Sequence, residues 1–190
     1  MLMQTLSRGT IAIIVSAATF CSASLIAPAQ AQVTPLVSAV SLDRDEDMCL
    51  DISQASRENG ADAIVWGCHY HDNQQFELRP TEYVRDEHGV VTRWYEIRPL
   101  HSKGAASGQD MCLDVQGGSL DNGADVILWV CNGGWNQQWR MDASARLVAR
   151  HSSKCLDVRG AGGWMPGTDV IQWTCNDGMN QLWIPAAGLD

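Results

Sequence analysis

The sequence predicts an all-β domain of three pseudo-symmetric repeats, and three observations carry that reading. One pattern is written three times: Cys49–Phe76 reads CLDISQASRENGADAIVWGCHYHDNQQF, Cys112–Trp139 reads CLDVQGGSLDNGADVILWVCNGGWNQQW, and Cys155–Trp183 reads CLDVRGAGGWMPGTDVIQWTCNDGMNQLW. Each copy holds short β-branched or aromatic runs, such as Val126–Trp129 and Val170–Trp173, bounded by Gly, Asn, Asp and Pro. Turn signals return roughly every ten residues, at Asn59-Gly60, Asn122-Gly123, Gly133-Gly134, Pro166-Gly167 and Asp177-Gly178. No long stretch shows a 3.6-residue apolar period, so helix is expected only as single turns in loops.

A unit of about four short strands cannot bury its own apolar face, so the three copies must close on one another. Three are too few for propeller blades, and a solenoid would leave sheet edges open. A β-trefoil satisfies the count, with repeats at about 37–80, 94–142 and 143–186. The first cysteines stand at 49, 112 and 155, so the first interval exceeds the second by about twenty residues. That excess falls within Arg79–Lys103. There Asp86-Glu87-His88-Gly89 reads as the tip of a longer hairpin, and Trp94–Ile97 alternates like the strand returning to unit two. A variable loop without a role of its own is the preferred reading of this insertion.

Residues 1–31 are expected to be a secretory signal peptide. Arg8 precedes the apolar run Ile11–Ala18, and Ala29-Gln30-Ala31 is a small-x-small cleavage pattern. The apolar part is too short for a membrane span. Cys21 follows Phe20 rather than a small residue, which argues against a lipid anchor. The expected mature domain, 32–190, is exported, either extracellular or periplasmic.

The formal net charge is −9, and the leader holds one base and no acid. An acidic domain of this kind repels nucleic acid and anionic lipid, so neither is an expected partner. Six cysteines remain after the leader, at 49, 68, 112, 131, 155 and 175. Six allow 15 pairings in principle. The repeat favours one closed pair per unit: Cys49–Cys68, Cys112–Cys131 and Cys155–Cys175. Zinc is disfavoured because no pair has the C-x₂₋₄-C spacing of metal ligands.

The segments Cys-Leu-Asp-Val, Val-Ile-Leu-Trp-Val-Cys and Asn-Gln-Gln-Trp of unit two resemble the ricin-type β-trefoil lectin family. That family carries a Gln-x-Trp motif once per repeat. Here it reads Gln74-Gln75-Phe76, Gln137-Gln138-Trp139 and Gln181-Leu182-Trp183, in phase with the cysteine pairs. The resemblance implies a non-enzymatic carbohydrate-binding module without a cofactor, with galactose-type sugars as its usual ligands.

Sugar recognition needs a flat aromatic face against the C–H face of a pyranose and fixed polar groups for its hydroxyls. A carboxylate is the strongest acceptor for those hydroxyls. Each unit supplies such a set: Asp51, Trp66 and Asn73; Asp114, Trp129 and Asn136; Asp157, Trp173 and Asn180. The resemblance implies that the Asp accepts from the sugar, the Trp stacks and the Asn completes the contacts. Members with well-formed sites often carry Gln two residues before the stacking aromatic, where this chain has Ile64, Ile127 and Ile171. Unit one departs further, with His69-Tyr70-His71-Asp72 in its loop. The sites therefore rank two, three, one.

Bland readings stand beside these. The Gln and Trp or Phe of each Gln-x-Trp are expected in the core, bonding backbone. Each Cys-x-Asp aspartate has the alternative of stabilising a turn through backbone N–H groups. The stacking Trp candidates have the alternative of burial. His69 and His71 alternate as a metal pair would, but without a visible third ligand. Asp43-Asp45-Glu46-Asp47 lacks calcium-loop spacing and reads as a solvated run. No hydrolase or phosphate-loop motif is present, and nothing leaves room for a catalytic domain beside the trefoil. Two other function classes remain: a protein-interaction or targeting subunit of a secreted toxin or enzyme complex with degenerate sugar sites, and a small hydrolase on the same fold using paired carboxylates.

Overall fold

Alternation of inward apolar and outward polar residues resolves each unit into four strands. In the computed structural model the described residues are 31–41, 46–103, 108–160 and 165–186. The leader through Gln30, with Asp43 and Asp45 of the acidic run, lies outside them. A short strand β1 (Gln32–Thr34) precedes the repeats. Unit one supplies β2 (Leu36–Ser38), β3 (Met48–Ile52), β4 (Ala61–Gly67) and β5 (Phe76–Arg85). Unit two supplies β6 (Val91–Pro99), β7 (Met111–Val115), β8 (Val126–Val130) and β9 (Trp139–Met141). Unit three supplies β10 (Leu147–Ala149), β11 (Cys155–Val158), β12 (Thr168–Trp173) and β13 (Trp183–Pro185). Helix occurs only as short 3₁₀ turns among the described residues, as the sequence predicts.

All pairings are antiparallel, and the strands form one sheet that bends round on itself. The far end of the domain returns to its beginning, where β13 pairs with β2 through Trp183↔Ser38 and Ile184↔Val37. The insertion between units one and two is the β5–β6 ladder, turned at Asp86–Val90 with Gly89 at φ +81°. Its register shifts between Pro80 and Glu82, where proline lacks an N–H for the ladder.

The units are joined by a ring of three edge pairings. Ala61 and Asp62 at the start of β4 pair with Leu128 and Ile127 of unit two. Asp125 of unit two bridges to Ile171 of unit three, and Thr168 and Asp169 of unit three pair back to Val65 and Ile64 of unit one. A glycine with φ near +90° turns each hairpin into its neighbour: Gly60 N–H donates to Leu128 O (2.8 Å), Gly123 to Gln172 O (2.9 Å) and Gly167 to Val65 O (2.8 Å). Only glycine enters that region without a steric penalty. The repeated Asn-Gly and Pro-Gly signals are therefore docking points between units.

Inside the ring Leu50, Leu113 and Leu156 meet Val65, Leu128 and Val170 in a single core, sealed by Phe76, Trp139 and Trp183 at 0% exposure. The two indoles each find one partner: Trp139 Nε1–H donates to Leu113 O (3.1 Å), and Trp183 Nε1–H to Leu156 O (3.0 Å). Disulfides join Cys49–Cys68, Cys112–Cys131 and Cys155–Cys175, one within each unit.

Two outcomes follow for urea unfolding. Trp139→Ala should lose roughly 3–5 kcal/mol, whereas Trp139→Phe, the residue unit one already uses, should lose much less. Replacing Cys112 and Cys131 together by Ser should cost about 3 kcal/mol through loop entropy.

Candidate functional site

Period-two alternation that sends Leu50 and Val65 into the core sends Asp51, Ile64 and Trp66 to the other face. Cross-strand register then fixes their arrangement: Asp51 faces Ile64 while Trp66 faces Cys49, so the Trp lies diagonal to the Asp. Units two and three repeat this with Asp114↔Ile127 and Cys112↔Trp129, and with Asp157↔Ile171 and Cys155↔Trp173. The three aspartates are buried, at 3–4% exposure. The three tryptophans are 46%, 41% and 42% exposed, so they are not core residues.

Side-chain amides, not backbone N–H groups, hold the carboxylates. Asn73 Nδ2 donates to both oxygens of Asp51 at 3.0 Å, and Asn136 Nδ2 to Asp114 Oδ2 at 2.9 Å. Asn180 Nδ2 donates instead to Val158 O (3.2 Å), beside Asp157. The turn-stabilising reading of the aspartates is thereby displaced.

The glutamines of Gln-x-Trp do more than the core role expected of them. Gln74, Gln137 and Gln181 each donate Nε2–H to the unit's own aspartate, at 2.8, 2.8 and 2.7 Å. The second Nε2 hydrogen goes to a backbone carbonyl of Gly67, Val130 or Thr174, just before the second cysteine. Oε1 accepts from the loop after that cysteine, at His69 N, Asn132 N or Asn176 N, each 2.8 Å. A fully satisfied buried amide thus ties core, loop and carboxylate together. The sequence signal was its fixed distance, 23 or 24 residues, behind each aspartate.

Burial raises the pKa of Asp51, Asp114 and Asp157 above the ordinary carboxylate value. Amides from Gln and Asn oppose this in every unit, as does His69 at Asp51, without cancelling it. The apolar Ile64, Ile127 and Ile171 directly opposite contribute to that dry setting. Asp114 Oδ1 has no hydrogen-bond partner among the described residues, which leaves it free to accept from a ligand hydroxyl.

Each set lines its own cleft. Unit two's is about 400 Å³, walled by Asp114, Gln116, Ile127, Trp129, Asn132 and Asn136. Unit three's is about 390 Å³ and includes Arg159 at its rim. Arg159 is itself held by Asp125 (2.5 Å) and Asp169 (3.3 Å). Unit one, placed last by its substitutions, has the largest cleft, about 630 Å³, partly walled by Gly167 and Asp169 of unit three. The neighbouring unit's turn also backs the aromatic wall, since a Cβ built at Gly167 or Gly123 would meet Trp66 or Trp173 at 3.7 Å.

The altered loop of unit one keeps the geometry by other means. In unit two Asn132 Oδ1 accepts from Gly134 N (2.7 Å); in unit one His69 Nδ1 accepts from His71 N (3.2 Å). That leaves His69 Nε2 3.3 Å from Asp51 Oδ2. The histidine pair is therefore a loop brace beside the carboxylate. Among the described residues the one grouping with metal-ligand spacing is Glu96 with Cys112 and Cys131, whose sulfurs are joined to each other.

Sequence reasoning missed Asn132 and Asn176, which line clefts two and three. Their signal lies in Gly134 and Gly178: a Cβ at either would stand 2.8 or 2.7 Å from the amide oxygen of Asn132 or Asn176.

The profile of the ricin-type beta-trefoil lectin domain matches residues 39–183. The chain belongs to that family. Among solved structures, the designed three-fold symmetric protein ThreeFoil is 33% identical, with TM-score 0.64, over 80% of this chain and 96% of that one. An exo-β-1,3-galactanase from Clostridium thermocellum is 25% identical, with TM-score 0.65, over 80% of this chain but 29% of its own. The Polyporus squamosus lectin, at 18% identity and TM-score 0.59, shares the fold over 83% of this chain and 49% of its own. Membership of a lectin-domain family supports a carbohydrate-binding module. No helix among the described residues is long and apolar enough to cross a membrane.

The raised aspartate pKa values give a signed expectation for this lectin domain. A carboxyl that binds its proton more tightly folded than unfolded stabilises most at low pH, and that contribution is lost as pH rises through the folded pKa. Asp114→Asn, whose amide oxygen still accepts from Gln137 and Asn136, should therefore be no less stable than the parent at pH 7. At pH 3 it should lose that relative advantage in thermal unfolding.

Proposed function

We propose that this domain is a secreted, non-enzymatic lectin module that binds galactose-like sugars through three clefts, each using Asp, Trp and Asn of one unit. The observation that carries it is a half-exposed indole paired with a buried carboxylate along the same cleft in every unit, with Asp114 Oδ1 in unit two left open as an acceptor. The residues for stacking and hydroxyl recognition are Trp66, Trp129 and Trp173 with Asp51, Asp114 and Asp157, completed by Asn73, Asn136 and Asn180. The galactanase relative, a galactan enzyme by name, favours a galactose-type ligand. Secretion rests on the leader pattern of residues 1–31 and on three disulfides, which persist in oxidising compartments. Open clefts of this size hold one or two sugar rings weakly, and engaging several together on a glycan-bearing surface raises avidity.

A glycan array, followed by galactose titration with Trp fluorescence, tests this. Asp114→Ala with Asp157→Ala should weaken galactose binding roughly 10- to 100-fold at those two clefts, since each loses a charge-assisted hydrogen bond. Affinity should also fall as pH drops through the raised aspartate pKa, because a protonated carboxyl is a poorer acceptor. Silence toward every sugar at millimolar concentration would sink the proposal.

The second reading, a targeting subunit with degenerate sites, draws on the apolar Ile64, Ile127 and Ile171 in all three clefts. It requires a co-purifying partner whose binding survives the double Asp substitution.

A further inference from the structure

Two histidines outside the sugar-binding sets, His101 buried and His151 half-buried, have half of their hydrogen-bonding capacity unused. His101 Nε2 lies 2.8 Å from Ser56 O, and His151 Nε2 lies 2.9 Å from Ser119 O. A carbonyl only accepts, so each Nε2 carries the proton and donates. Both Nδ1 atoms are buried without a partner. Each bond also crosses a repeat boundary: unit two holds unit one, and unit three holds unit two.

The carbonyls they grip belong to loops that form cleft walls. Ser56 ends the 3₁₀ turn Ser53–Ala55, whose residues line cleft one; Ser119 ends Gln116–Gly118, which lines cleft two. Both turns pass through left-handed backbone. Unit two uses Gly117 (φ +64°) and Gly118 (φ +62°) there, whereas unit one places Gln54 (φ +55°) and Ala55 (φ +48°). Residues with a Cβ occupy that region only where surrounding structure holds them. Ser119 O has a second donor, Gln172 Nε2 at 2.7 Å; Ser56 O has His101 alone among the described residues.

The third repeat boundary has a different residue at the equivalent position. Leu100 N–H donates to Gln75 O, Arg150 N–H to Gln138 O and Ala39 N–H to Leu182 O, which places these three residues in equivalent positions. The next residue is His101, His151 and Val40 respectively. Valine offers no side-chain donor.

We propose that His101 and His151 are positioning residues for the clefts of units one and two, each pinning from the following unit the left-handed loop that forms one wall. This rests on the reading of those clefts as sugar sites. Dependence is greatest in cleft one, where the loop is strained and singly held.

The test uses the full domain with Asp114→Ala and Asp157→Ala, leaving cleft one. Adding His101→Ala should weaken galactose binding roughly five- to ten-fold, the worth of one buried hydrogen bond. His151→Ala in the same background should change nothing, and His101→Gln, which restores a donor, should recover part of the loss. Gln54→Gly with Ala55→Gly should also recover binding, because the loop then needs no clamp. Amide exchange at Ser56 reads the loop without sugar: His101→Ala should speed it several-fold while leaving Ser119 unchanged. Equal binding with and without His101, or unchanged Ser56 exchange, overturns the inference. Should the background bind no sugar, the reading of cleft one as a sugar site fails, and the exchange rates alone decide whether His101 holds the loop.

Discussion

The opening residues of β4 and β12, together with Asp125, find their pairing partners outside their own units, in Leu128, Val65 and Ile171 of the neighbours. Unpaired sheet edges in water are a liability, and burying them without partners is costly. Three hairpins closing one another in a ring remove the problem for all three at once. Much else depends on that closure. It brings the core leucines and valines to one point, sets the indoles of Trp66 and Trp173 on their neighbours' turns, and lets loop and clamp come from different repeats.

Symmetry was the part of the fold most legible in the sequence. Cysteine spacing, Gln-x-Trp and the turn signals all report local structure, and local structure repeated in phase leaves few ways to close. The aspartates and tryptophans of the clefts were legible for the same reason, since alternation along β3, β7 and β11 fixes the face of the aspartates and alternation along β4, β8 and β12 that of the tryptophans. Gln74, Gln137 and Gln181 were only half read. Their backbone bonds belong to the unit's loop, but their contact with the aspartate depends on two segments meeting more than twenty residues apart in the chain. The brace formed by His69 and His71 was harder still. Unit one's loop looked degenerate because its residue types differ from those of units two and three. An imidazole Nδ1 nevertheless accepts the bond that an asparagine oxygen accepts elsewhere. Residue identity is a poorer guide than hydrogen-bonding capacity.

Stability and recognition pull against each other at the aspartates. A carboxylate that is half dried by isoleucine is a stronger acceptor for a hydroxyl and a worse component of a folded core. The glutamine amide resolves part of this by supplying a fixed donor that does not compete for the free oxygen. The same glutamine fastens the post-cysteine loop, so the group that makes the carboxylate tolerable also shapes the wall opposite it.

The pairing of β2 with β13 has a consequence for how the chain reaches its folded state. These strands lie at opposite ends of the domain, so the sheet cannot close until nearly all of the chain is available. Contacts of such long sequence separation slow folding. The disulfides, each spanning 19 or 20 residues, can form within one unit before the ends meet. Oxidation of separate repeats followed by a late, all-or-none docking of first strand to last is the assembly order this topology favours.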